Sequence, residues 1–174
     1  MTAVPTLPDR NARKIRNSVM YARLDAITVG LFGILSFIFA AKAFSIPGML
    51  VGVGMSLVAF REFQLARDLS NGHPKSPGGL AWNQLLLSGV LLAYAIWAFS
   101  AAWRNPQPFI TAIEPQLYKD PNAKVLIESG DFPVEQFVRI FLVIIYGTLT
   151  VIAITVQPLT ALYYLTRRKY LPHP

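Results

Sequence analysis

The residues best able to do chemistry in this chain fall near the ends of its apolar runs. Asp25 opens the first run, Arg61 and Glu62 close the second, and Asn83 and Gln84 stand side by side near the start of the third. Two carboxylates, one guanidinium and two amides at one depth can do one of two things. They can fasten helices, through interhelical hydrogen bonds that average about 0.6 kcal/mol in membranes and reach about 1.7. Or they can form a vestibule for a proton or ion, since an ionisable group inside a membrane is a functional candidate by default. The fastener is the expected role, with Asp25 near Arg61 or Arg23 and with Asn83 or Gln84 donating across helices. Gln157, next to Pro158, is the isolated polar group of the last run. Its amide can satisfy the carbonyl freed by the proline, or line a path.

Little else in the chain forms a constellation. There is no cysteine, which removes disulfides, thiolate catalysis and Cys-ligated metals. The two histidines, His73 and His173, lie in a loop and at the tail, so neither can hold a cofactor within an apolar run. No Ser-His-Asp order, HExxH, P-loop or GxGxxG occurs. The chain is therefore read as non-catalytic, with no catalytic or metal residues and no cofactor of its own. A bound lipid is the one ligand left open.

The elements that must position these groups are legible from charge. Only 14% of residues are charged, where soluble domains have about 25%. The deficit is concentrated in charge-free runs at Ala26–Ala41, Ala43–Phe60, Ser76–Trp103 and Ile140–Thr166. Runs of about 18 or more apolar residues are transmembrane candidates, and the two shorter runs extend by a turn at their ends. The first run carries a basic lead and "FAAKAF", which mimics a signal peptide. Its polar lead is too long, however, and it is read as a span. The fold class expected is an all-α integral membrane protein, with four transmembrane helices in two antiparallel hairpins. One non-cytoplasmic loop of about 30 residues completes it.

The basic residues sort by side. The N-terminal segment, the connection near residues 61–79 and the C-terminal tail together hold 11 of the 16 Lys and Arg, and the other side holds 5. The positive-inside rule then puts both termini in the cytoplasm, in a cell's inner (plasma) membrane. Arg10, Arg13, Lys14, Arg16, Arg167, Arg168 and Lys169 are expected to face anionic lipid headgroups rather than nucleic acid. Ala12, Ile15, Val19 and Ala22 recur at helical spacing after Pro8 and Asp9, which fits a helix along the interface; a disordered basic tail fits equally. Tyr21, Trp82, Tyr163, Tyr164 and Tyr170 fall at the inner interface, and Trp97, Trp103 and Phe109 toward the outer one.

These signals divide the chain into a basic segment 1–24, a hairpin 25–66 with a helical extension, and a loop 67–79. A third span 80–103, an outer loop 104–132, a fourth span 133–166 and a basic tail 167–174 follow. Gly48, Gly52 and Ser56 lie four apart on one stripe, and Ala26, Gly30 and Gly33 match them on the first span. Small residues let helices approach closely, so these should form the seam between spans one and two, or meet a partner. The outer loop carries five prolines and shows no sustained period, although "NAKVLIESGDF" fits a short strand or turn. Asp131, Pro133 and Glu135 read as a helix start, and Pro158 as a kink in the fourth span.

The function that follows is an accessory or assembly subunit of a larger membrane complex, with lipids and other subunits as partners. The alternative is a small transporter or channel, monomeric or homo-oligomeric, with a polar path through Gln157 and the cytoplasmic polar layer.

Overall fold

The computed structural model describes residues 9–129 and 133–171. Among them the chain is all-helical. α1 is Asp9–Lys42, α2 Ile46–Ser70, α3 Ser76–Arg104, α4 Gln107–Leu117, α5 Pro121–Glu128 and α6 Val134–Val151. A π-helical turn, Ile152–Val156, leads into α7, Gln157–Leu165, and a 3-10 turn, Arg168–Tyr170, follows. Four stretches are long and apolar enough to cross a membrane: Asn11–Lys42, Ile46–Ser70, Ser76–Arg104 and Val134–Tyr170. Two compact units are distinguished, one holding the chain up to Leu91 and again from Ala153, the other Leu92–Ile152.

In the first unit α1 and α2 form the most extensive helix pair. The turn between them places Phe44 at φ 51° and lets Ser45 cap α2, its hydroxyl accepting the Gly48 N–H at 3.4 Å. The two helices run in opposite directions along a seam of small residues. A methyl group added to Gly33 would lie 2.7 Å from Ser56 Oγ, and one added to Gly52 would lie 2.6 Å from the Phe37 amide nitrogen. Gly48 faces Ala40 and Gly30 faces Ala59 in the same way, and Ala26 is buried one turn further along. The stripe read from the sequence thus meets itself within the chain. At the other end α2 closes in a Schellman turn. His73 donates to the Asp68 carbonyl and Gly72, at φ 79°, to that of Leu69.

The basic lead differs from expectation. It is neither a separate interfacial helix nor a tail, because α1 runs unbroken from Asp9. Its apolar stripe keeps helical period into the first span, so the stripe packs on the protein. Ile15, Val19 and Ala22 join Ala66, Leu69, Leu80, Ala81, Ala161, Tyr164 and Leu171 in one core. Two of the cations expected to face lipid also have partners within the chain. Lys14 donates to the Tyr170 hydroxyl at 3.0 Å, and the Arg167 guanidinium lies 4.2 Å from the centre of the Tyr163 ring. Arg13, Arg16, Arg168 and Lys169 are exposed, and the side chain of Arg10 lies outside the described residues. Tyr164 is buried too, and Tyr163 bonds Ser18, so these two rings serve the core where an interfacial belt was expected.

The second unit corrects the outer loop, whose described residues form two helices and no strand. Two of its prolines start helices, Pro108 in the first turn of α4 and Pro121 at the opening of α5, while Pro115 lies inside α4. Asp120 caps α5, accepting the Asn122 N–H at 2.9 Å. Phe109, Ile110 and Ile113 of α4 pack on Ala102, Val138 and Leu142. Of the expected start of α6, Asp131 lies outside the described residues, and Pro133 precedes the helix without a side-chain cap. Glu135 pairs with Arg139 at 2.8 Å, and that guanidinium lies over Trp103.

Candidate functional site

Unit one gathers four polar side chains from three helices. Adjacent residues on a helix point about 100° apart, yet Asn83 and Gln84 of α3 both reach Glu62 of α2. Asn83 Nδ2 donates to the Val58 carbonyl at 3.0 Å and to Glu62 Oε2 at 3.4 Å. Gln84 Nε2 donates to Glu62 Oε1 at 2.7 Å and to Asp25 Oδ2 of α1 at 2.6 Å. One amide nitrogen therefore bridges two carboxyl groups. Glu62 and Gln84 are 0% exposed and Asn83 is 2% exposed, while Asp25 is half-buried.

Among the described residues no cation pairs with either carboxyl group. Arg61 was expected beside Asp25, but it is exposed and makes no hydrogen bond or ion pair with the described residues. The reason is helical: Arg61 precedes the buried Glu62 by one residue and so leaves the helix on another face. Arg23 is likewise exposed. The groups that face Glu62 are Asp25 from α1, Asn83 and Gln84 from α3, and Tyr164 from α7. A buried charge is normally paired or coordinated, so two carboxyls held only by neutral amides leave a positive charge wanting.

The amides carry a second sign of this. Asn83 Oδ1 and Gln84 Oε1 are buried with no hydrogen-bond partner. Turning either amide would set its oxygen against a carboxyl group. An ionised pair repels that arrangement, whereas an acid O–H or a bound cation favours it. The described residues hold no group of three or more His, Asp or Glu side chains that could hold a metal ion.

Asp25 connects this cluster to a groove of about 560 Å³ between α1 and α7, lined by Tyr21, Asp25, Gln157, Thr160, Tyr163 and Tyr164 among others. Gln157 is 8% exposed and makes no hydrogen bond with the described residues. The carbonyl freed by Pro158 has gone to another partner. In the π register each N–H pairs with the carbonyl five residues back, and residue 158 has no N–H for the Ala153 carbonyl. Ser88 of α3 fills that place, its hydroxyl donating to Ala153 O at 2.7 Å. The sequence reading missed Ser88 and Tyr164. A signal for Ser88 was present, because it follows Gln84 by four residues and so shares its helix face. Ser88→Ala should cost about 1–2 kcal/mol of stability in detergent, since the carbonyl is left without a donor. Adding Pro158→Ala should recover most of it by restoring an N–H. A double variant no more stable than Ser88→Ala alone would show that Ser88 serves something else.

No protein-family profile, no curated protein and no solved structure matches this chain.

Proposed function

We propose that this chain is a small membrane transporter that binds a monovalent cation, a proton or sodium, between Asp25 and Glu62. The observation that carries the reading is Glu62 itself. It is fully buried beside a second carboxyl group, and no cation among the described residues faces it. Ionisable groups in membrane spans are rare, and mark ion paths or proton relays. In this reading the helices form two antiparallel hairpins with both termini and the 71–75 loop on the cytoplasmic side, an orientation that the distribution of Lys and Arg favours. The cluster then lies about one turn inside the cytoplasmic edge of an inner membrane. Beyond Gln84 the buried face of α3 carries Leu87 and Leu91 beside Ser88, which favours a carrier over an open pore.

The accessory-subunit reading draws support from apolar grooves along the α1–α2 seam, such as that lined by Ile34, Phe37, Val53, Ser56 and Leu57. Acyl chains fill such grooves equally well, and they supply no positive charge to Glu62. The transporter reading is therefore preferred.

Purified protein in liposomes should dissipate an imposed proton or sodium gradient, followed with a trapped pH dye or with radioactive sodium. Glu62→Gln keeps the shape and removes the charge, and should slow that flux by about tenfold or more. Wild-type flux equal to that of protein-free liposomes for both ions would reject the reading.

A further inference from the structure

We propose that the groove between α1 and α7 binds a hydrophobic organic cation, whose positive centre pairs with Asp25 while its apolar body lies along Tyr21 and Leu159. The inference rests on reading the Asp25–Glu62 cluster as a site that wants positive charge, and names the class of molecule able to supply it.

Four observations converge on the groove. Its volume, about 560 Å³, is in the range of small-molecule sites, roughly 300–1,000 Å³. Asp25 is the single charged side chain among its lining residues, although the chain as a whole is +7. Aromatic rings stand in a row beside it: Tyr21 meets Tyr163 edge-on at 6.2 Å, and Tyr163 meets Tyr164 at 5.6 Å. Ring faces attract cations, and Arg167 already lies over Tyr163, which leaves the half-exposed Tyr21 for a ligand. Finally, Gln157 lines the same groove, 8% exposed as a residue and with no hydrogen bond to the described residues, so its amide is available to a polar ligand.

The rim explains why the ligand should be hydrophobic. Val156 and Leu159 border the groove and are exposed on the flank of α7, the surface that acyl chains cover in a bilayer. A cation with an apolar body can enter from that side, which a hydrated metal ion cannot. Gln84 holds the Asp25 carboxyl from behind at 2.6 Å, so the acceptor is oriented before the ligand binds.

The test is equilibrium binding of radiolabelled tetraphenylphosphonium to the purified full chain, in detergent and in phosphatidylglycerol nanodiscs. Saturable binding is expected, weakened about tenfold or more by Asp25→Asn and unchanged by Glu128→Gln on the exposed face of α5. Should Asp25→Asn fail to elute as a folded species, Tyr21→Leu removes an exposed ring and should weaken binding about threefold to tenfold. Non-saturable binding, or variants that bind like the wild type, would overturn the proposal. So would binding abolished by phosphatidylethanolamine in the discs, which would assign the groove to a lipid amine. Saturable binding without ion flux would leave the groove standing and reject transport. Flux without tetraphenylphosphonium binding would do the reverse.

Discussion

Replacing Gly52 with leucine should separate α1 from α2 and lower the melting temperature in detergent by about 10 °C or more. The magnitude follows from what lies opposite. Even a methyl group at Gly52 would come within 2.6 Å of the Phe37 nitrogen and 2.8 Å of both the Gly33 oxygen and Phe37 Cα. Those atoms are backbone, which has no rotamer to turn aside, so the helices themselves must move. Overpacking typically costs about 1–3 kcal/mol, and a leucine against backbone belongs at or above the top of that range. Each kcal/mol shifts the midpoint of a chain this size by roughly 2–4 °C. Gly89 and Gly147 provide the internal control, because a methyl group there meets nothing within 4 Å. Gly89→Ala and Gly147→Ala should be neutral, or stabilising by up to about 1 kcal/mol, as glycine is a poor helix former. If Gly52→Ala melted with these two controls, the seam would not be what holds α1 to α2.

The second large effect is expected at Gln84. Gln84→Leu removes the nitrogen that bridges Asp25 and Glu62 and leaves two carboxyl groups without that donor. Breaking a buried polar set by removing one partner costs about 3 kcal/mol or more, whereas replacing the set with apolar groups is often close to neutral. Gln84→Leu should therefore be strongly destabilising, and Gln84→Leu combined with Glu62→Leu should return to within about 1 kcal/mol of the wild type. Arg61→Ala, at an exposed position with no partner among the described residues, should change stability by less than about 0.5 kcal/mol. Heating each variant in mild detergent and following its elution profile measures all three. A Gln84→Leu protein as stable as the wild type would mean that the bridge contributes nothing. The double variant isolates the polar set from simple loss of packing, since both changes keep side-chain bulk.

Much of this architecture was written in one-dimensional patterns. Charge-free runs mark the four long apolar helices, because a helix must present apolar side chains over its whole length to cross hydrocarbon. The spacing of Gly48, Gly52 and Ser56 marks the seam, because residues four apart share a helix face. The amides Asn83 and Gln84 stood out because polar pairs are scarce in such runs. What misled the reading was local chemistry with two meanings. Proline breaks a helix from inside but opens one from its first turn, so the proline-rich segment read as a loop where α4 and α5 stand. Basic residues near an apolar run face headgroups unless an aromatic ring offers a closer site, as Tyr170 does for Lys14 and Tyr163 for Arg167.

The sequence by itself determined that the chain has four helices long and apolar enough to cross a membrane, which end of each carries polar groups, and which helix faces are small. Those properties depend on composition and period along one element. Only the tertiary structure decided which polar groups meet. It gave Glu62 the two amides of α3 and withheld Arg61 from the carboxyl pair, joined Gln84 to Asp25, and assigned the Ala153 carbonyl to Ser88 and not to Gln157. The physical reason is rotation. Each helix can turn about its own axis without changing its sequence pattern, and a single residue's step of about 100° moves a side chain from the core to the surface. Packing against the neighbouring helices fixes that rotation, and with it the site.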